Sequence, residues 1–305
     1  MAEHPEVSVI IPAHNAASVI GAQLDALRTQ VDAPRFEVLV CDNNSTDGTA
    51  EAARASGQGL DLRVIDASGP ASASFARNRG AEEARGEVLL FCDADDLVCE
   101  RWVSELLAAV LSGRQILAAG ALGHELFNDT IVLAAYRIPP DPAVPAPGTP
   151  PPPASAFAGY LPTVAGGSFG MRRSQYLAIG GMDPAFPGGS EETDFAWRAQ
   201  EAGAVVVSAP SAIAHYRLRD DPRGIYRQQR IQQRARIFLW TRYRGTTMTG
   251  PSWKYSLTHL ARDLIASARP RRSRAERLRT AHDLGGSVGA IEGMLKYRLL
   301  RRQHG

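Results

Sequence analysis

The chain is expected to fold as an α/β protein, a doubly wound sheet with helices on both faces, followed by a helical C-terminal extension. Three observations predict this. Apolar runs of strand length alternate with helical periodicity over roughly residues 7–217, the pattern of a mostly parallel sheet. Three of those runs end in polar sets, at His14-Asn15, at 42–47 and at 93–96, and open α/β sheets bind ligands beyond the carboxyl ends of their strands. Charge also divides sharply along the chain. Residues 1–216 hold 13 Lys+Arg against 26 Asp+Glu, a net −13, and residues 217–305 hold 21 against 6, a net +15.

Taken in order, Val7-Ser8-Val9-Ile10-Ile11-Pro12 reads as a buried strand stopped by proline, and residues 16–30 carry helical periodicity. Phe36-Glu37-Val38-Leu39-Val40-Cys41 is a second strand, followed by the turn-rich 42–48 and an alanine-rich helix. A weak strand at 62–66, a helix at 73–84 and a strand at 87–92 follow. Residues 139–158 hold nine prolines and read as an extended linker or a loop beside the site. Next come a strand at 164–171 whose glycines permit close backbone approach, a short helix at 174–179, a helix at 191–202 closed by Gly203, and a strand at 205–207.

Beyond residue 217 the chain is helical and basic. Ile231, Ala235, Phe238 and Leu239 share one face, with Arg227, Arg230, Arg234 and Arg236 interspersed. This is the pattern of an amphipathic helix lying on a membrane, or of a helix packed on its own domain with solvated arginines. The expected organisation is a catalytic unit at 1–217, with a nucleotide-binding part to about 137, a proline-rich loop at 138–160 and an acceptor part at 161–217. A basic helical region completes it at 218–305.

At 305 residues the chain can bury a substantial core, and its composition excludes a disordered or fibrous protein. Cys41, Cys92 and Cys99 form neither a metal-ligand spacing nor an even disulfide set, pointing to packing roles in a reducing cytoplasm. The N-terminus lacks a signal-peptide pattern, and no apolar window is long enough to span a bilayer. Membrane contact is therefore expected to be peripheral, at the inner face.

Two acidic clusters carry the chemistry. Cys92-Asp93-Ala94-Asp95-Asp96 follows the apolar run Val88-Leu89-Leu90-Phe91, and Glu191-Glu192-Thr193-Asp194 precedes Phe195-Ala196-Trp197-Arg198. Carboxylates crowded at a strand end repel one another and call for a hard cation, Mg2+ or Mn2+, whose shell is completed by phosphates. Turn formation and helix capping are the alternative reading of Asp93, Asp95 and Asp96. The second cluster reads as a catalytic base, or as charges complementing a helix N-terminus.

Together these pieces resemble the family 2 glycosyltransferases of GT-A fold, a Rossmann-like doubly wound mixed sheet, over roughly residues 7–217. The opening strand through Pro12-Ala13-His14-Asn15, the loop Asp42-Asn43-Asn44-Ser45-Thr46-Asp47-Gly48, and Ala76-Arg77-Asn78-Arg79-Gly80 match in sequence order. So do Asp93-Ala94-Asp95, Gly180-Gly181-Met182-Asp183 and Ser190-Glu191-Glu192-Thr193-Asp194. The departures are His14 where tyrosine is usual, Asn43 where a second acid is common, and Glu192 where the family places its aspartate base.

The resemblance implies that Pro12, Ala13, His14, Asn15, Asp42, Asn44, Arg77, Asp93, Ala94 and Asp95 bind a nucleotide sugar. Within that set Asp42 would meet the base, Asp93 the ribose, and Asp95 the cation. It also implies His215 as a further metal ligand or phosphate contact, and Glu192, with Glu191 and Asp194 as alternatives, as the base. The implied cofactor is Mn2+ or Mg2+. The implied donor is a UDP or GDP sugar, transferred with inversion to a lipid-linked or glycan acceptor, or in a soluble variant to a small molecule. Residues 218–305 would contact a membrane or form a homodimer. An arginine-rich tail also raises nucleic-acid binding, but no reading motif is present and the acidic first part repels a polyanion. A nucleotidyltransferase would require a Gly-rich triphosphate loop after the first strand, which Pro12-Ala13-His14-Asn15 replaces.

Overall fold

The computed structural model describes residues 5–145, 153–270 and 273–299. Part of the proline-rich segment, residues 146–152, lies outside the described residues. Eight strands form one mixed sheet: β1 (Val7–Ala13), β2 (Phe36–Asp42), β3 (Asp61–Asp66), β4 (Val88–Phe91), β5 (Leu97–Val98), β6 (Ile116–Gly123), β7 (Phe169–Arg172) and β8 (Val205–His215). Their spatial order is β3-β2-β1-β4-β7-β6-β8-β5. Strand β1 runs parallel to both β2 and β4, β2 to β3, and β6 to β8, whereas β7 is antiparallel to β4 and β6. The strand order reverses beside β1, which places the ligand crevice at the carboxyl ends of β1 and β4.

The described residues form ten α-helices, α1 (Ile20–Arg28), α2 (Thr49–Ser56), α3 (Ala73–Glu83), α4 (Trp102–Leu111), α5 (Thr130–Tyr136), α6 (Arg173–Ala178), α7 (Glu191–Glu201), α8 (Pro222–Tyr243), α9 (Trp253–Ala268) and α10 (Arg274–Gly293). A π-helical turn, Met294–Leu299, ends the described chain. Elements β5, α4, β6 and α5 occupy a stretch to which the sequence reading assigns nothing. The expected strand at 164–171 shortens to β7, because Ala165 and Ser168 pair across a tight turn at Gly166-Gly167.

Strand alternation builds two cores. Val7, Val9 and Ile11 of β1 pack with α1 and α4 on one face, while Ile10 packs with α3, α6 and α7 on the other. In the second core Phe91, Phe169 and Tyr176 stack, with centroids 4.4 and 5.1 Å apart, and each such ring is buried to about 1.5–3 kcal/mol of benefit. The buried glycine Gly80 brings α3 close to the sheet, since an added Cβ would lie 2.6 Å from Ile10 and 2.7 Å from Cys41.

The helical region after residue 217 is packed on α5, on α7 and on the segment around Phe186. On α8, Ala235 and Leu239 are buried, and Leu239, Phe238 and Tyr243 cluster with Phe186 and Trp197. The apolar face expected to meet a membrane is therefore covered by the protein itself. Helix α10 lies along α8 through Gly285, Gly289 and Gly293, where any Cβ would strike the α8 backbone or Ile237. No helix among the described residues is long and apolar enough to cross a membrane.

Candidate active site

At the carboxyl ends of β1 and β4 lies a cavity of about 650 Å3. Of the sequence-predicted residues, Pro12, Ala13, His14, Asn15, Arg77, Asp93, Ala94, Asp95 and Glu191 line it. The turn after β4 is held by Gln23 of α1, which donates from Nε2 to the Asp93 carbonyl at 3.1 Å and accepts from the Val98 amide at 3.1 Å. Arg77 reaches the same turn from the buried face of α3. Its Nη2 donates to Asp93 Oδ1 at 2.5 Å and to the Gly166 carbonyl at 3.2 Å.

Glycine is required opposite this acid cluster. A Cβ on Gly167 would lie 2.8 Å from Asp96 Oδ2 and 3.0 Å from Asp93 Oδ2. Asp96 is buried, its Oδ1 accepts the Arg217 amide at 3.3 Å, and its Oδ2 has no partner. Burial, then the charges of Asp93 and Asp95, pushes the Asp96 carboxyl up to about 8. Asp95 is raised by burial and by Asp93, against the opposing charge of Arg219, whose Nη2 stands 3.7 Å from Asp95 Oδ2.

An orphaned carboxylate oxygen among three acids fits a hard divalent cation. No three His, Cys, Asp or Glu side chains form a closed metal cage among the described residues. An ion held here by Asp95 and its neighbours would complete its shell with substrate oxygens.

The second acidic cluster divides. Glu191 accepts the Gly189 amide at 2.5 Å and lines the cavity. Glu192 sits behind it toward Arg77 and Gly166, and burial, then the Glu191 charge, raises its carboxyl to about 7. Asp194 has a different setting. It is buried, Oδ2 accepts Arg198 Nε at 2.8 Å, and Oδ1 accepts Tyr243 Oη at 3.2 Å and Arg242 Nη1 at 3.3 Å. Arg198 in turn donates to the carbonyls of Ile179 and Gly181, so this pair ties α7 to the Gly180-Gly181 turn and to α8. Asn78 of α3 grips the same turn through both the amide and the carbonyl of Met182.

Asp42 and Asn44 do not line the cavity. The Asp42 carboxylate accepts the Ser45 amide at 3.1 Å, and Asn44 binds the Gly69 backbone. Asn43 lines the cavity between them, and its carbonyl meets His14 Nδ1 at 2.8 Å. His215 is not brought to the acid cluster either. As the last residue of β8 it pairs with Leu97 and Gly123, and it lines a separate, larger groove of about 1280 Å3 between α1, α4 and β8. Its Nδ1 is buried without a partner, and burial lowers its pKa. Side chains alternate along a strand, and its neighbour Tyr216 is the one that lines the cavity.

Sequence reasoning missed Arg217 and Arg219, which line the cavity beside Asp95 and Asp96. Their loop is fixed by buried Asn128, which donates to the Tyr216 carbonyl and accepts the Leu218 amide, and by Tyr136 Oη, which donates to the Arg219 carbonyl. The charge division at residue 217 groups both with the basic C-terminal part, although Arg217 is the last residue of the expected catalytic unit, and nothing in their spacing marks them as cavity residues.

A sheet with this strand order, carrying an acid cluster after β4 and a second on α7, defines a protein of GT-A type. The glycosyl transferase family 2 model matches residues 8–174, more than half of the chain, and the chain belongs to that family. It is 36% identical over 108 residues to glycosyltransferase AglE of Haloferax volcanii, covering 35% of this chain and 36% of that protein. It is also 36% identical over 108 residues to a validoxylamine A glucosyltransferase of Streptomyces hygroscopicus subsp. limoneus, covering 34% and 24%. The matches thus span about a third or less of these curated relatives. Among solved structures, mannosyltransferase PcManGT from Pyrobaculum calidifontis in complex with GDP-Man and Mn2+ superposes with a TM-score of 0.64 at 19% identity, over 97% of this chain and 89% of that one. S. aureus TarS 1–349 gives 0.55 at 18% identity, over 96% and 91%.

Proposed function

We propose that the protein transfers a sugar from a nucleoside diphosphate sugar, a UDP or GDP sugar, to an acceptor hydroxyl with inversion at the anomeric carbon. The observation that carries this reading is the convergence of Asp93, Asp95, Glu191, Arg77, Arg217 and Arg219 on one cavity at the strand-order switch. The acceptor oxygen attacks the anomeric carbon from the face opposite the diphosphate. The new glycosidic bond forms as the carbon–oxygen bond to the diphosphate breaks. Glu192 takes the hydroxyl proton, and the nucleoside diphosphate leaves with the bonding pair.

Charge growing on the leaving diphosphate is met by Arg217 and Arg219, whose backbone is held in place by Asn128 and Tyr136. Arg77, held against Asp93, keeps the turn after β4 in place. A divalent cation bound at Asp95, Mn2+ or Mg2+, would supply further electrostatic stabilisation of that leaving group. We assign the acceptor to cell-envelope or polysaccharide glycans, lipid-linked or free. Similarity to a validoxylamine A glucosyltransferase supports a second reading, a small-molecule acceptor.

The test is a thermal-shift screen of UDP and GDP sugars with and without Mn2+, followed by product analysis with candidate acceptors. A Mn2+-dependent rise in melting temperature with at least one nucleotide sugar is expected. No shift with any of them would overturn the assignment.

A further inference from the structure

Helix α9 is folded with its polar side inward. Its buried residues are Ser256 and Asp263, whereas Leu257, Leu264 and Ile265 are 52%, 50% and 60% exposed. With exposed Ala261 and Ala268 they recur at the three- and four-residue spacing of one helical stripe. The inward orientation is fixed by specific bonds. Asp263 accepts Ser287 Oγ of α10 at 2.6 Å and Arg262 Nε at 3.1 Å. The apolar stripe is left uncovered among the described residues.

The charges beside the stripe are all cationic. Lys254 and the C-capping Arg269 are exposed, Arg262 is paired with Asp263 at 3.0 Å, and the helix's one acid is that buried Asp263. At the N-terminal end stands Trp253, half-buried, an amphipathic aromatic suited to a lipid headgroup boundary.

We propose that α9 docks the protein on an anionic lipid surface, lying in the membrane plane with Leu257, Leu264 and Ile265 among acyl chains and Lys254 and Arg269 among headgroups. A bilayer offers apolar depth and negative charge together, which is what this face complements. A second copy of the chain is less well matched. Antiparallel pairing of two α9 helices through the stripe sets Lys254 of one toward Arg269 of the other, like charges in a contact that excludes water. The inference is independent of sugar transfer, since it uses no residue of the cavity.

The full chain is tested by flotation with vesicles of equal parts phosphatidylcholine and phosphatidylglycerol, and with phosphatidylcholine alone. Wild type is expected to float with the anionic vesicles and about tenfold less with the neutral ones, losing binding as salt rises. The double variant Leu264→Glu/Ile265→Glu should reduce flotation about tenfold or more, and Lys254→Gln/Arg269→Gln should remove most of the salt dependence. These positions are exposed, so circular dichroism and nucleotide-sugar thermal shifts should match wild type, which separates failed docking from a failed fold or an inactive site. Absence of wild-type flotation, or flotation of the double variant equal to wild type, overturns the proposal. A dimer by light scattering that the double variant converts to monomer, without flotation, assigns the stripe to a second copy and also overturns it.

Discussion

Glu192 and Asp194 stand two residues apart on α7, yet only Asp194 is held by arginine side chains. Glu192 has no arginine hydrogen-bonded to it, and burial, then Glu191, lifts its carboxyl to about 7. A base must be ionised to accept a proton, so kcat/KM should fall on the acid side with an apparent pKa of about 7. Below that value the rate should drop about tenfold per pH unit. A pH–rate profile measures this, and a profile flat through neutral pH would remove Glu192 from the role. Glu192→Gln should retain the nucleotide-sugar thermal shift while abolishing turnover. At the other cluster, Asp95→Asn should erase the Mn2+-dependent part of that shift. In wild type the Mn2+ effect should grow as pH rises through about 8, because Asp96, raised by burial and by Asp93 and Asp95, must lose its proton first.

At the scale of elements, Asp194 joins α7, α8 and the Gly180-Gly181 turn through Arg198, Arg242 and Tyr243. Asp194→Asn removes the charge from a buried site with two arginine partners and should destabilise the fold by about 1–3 kcal/mol. Chemical denaturation measures it, and Glu192→Gln, which breaks no ion pair, should leave the midpoint near wild type. Gly167→Ala tests the acid cluster without altering a charge. The added methyl falls 2.8 Å from Asp96 Oδ2, and Mn2+-dependent donor affinity should drop about tenfold by titration, a 1.4 kcal/mol perturbation of the carboxylate geometry.

The motifs were legible in the sequence because their chemistry is local. An acidic run after a buried strand, a glycine where backbones touch, and strand–helix alternation each show in a few neighbouring residues, and α3, α7 and β1–β4 lie where periodicity puts them. Features set by distant partners were not legible. Periodicity marks an apolar stripe on α8, but only the fold shows that Phe186 and Trp197 cover it while the stripe of α9 is bare. Strand β6 escaped notice because Ala118-Ala119-Gly120-Ala121 carries little strand propensity. Arg217 and Arg219 gain their meaning from Asp95 and Asp96, more than a hundred residues earlier.

For the whole molecule, the division at residue 217 separates charge but not structure. Trp197, buried on α7, packs edge-on against Tyr243 of α8 at 4.8 Å between centroids, and Phe186 packs on Phe238 at 5.0 Å. Removing residues 218–305 would expose these rings and leave Asp194 short of two partners. The shortened chain should therefore aggregate or lack cooperative unfolding, by size-exclusion chromatography and circular dichroism, instead of persisting as a free catalytic unit. Point substitutions are the suitable probes of the helical region.

The loop from Tyr216 to Asp221 has a consequence for how such proteins diversify. It leaves the sheet at β8 and enters α8 with Asp221 as the N-cap, whose carboxylate accepts the Arg223 and Gly224 amides. Arg217 and Arg219 are thus simultaneously parts of the acid-lined cavity and the stalk of the helical layer. A chimera joined at residue 216 would inherit its cationic grip from whichever relative donates the helices. One joined at residue 221 would keep the grip and exchange only the outer surface. The six residues of this stalk mark the seam along which the cavity and the helical surface can be recombined, provided the cut falls on its far side.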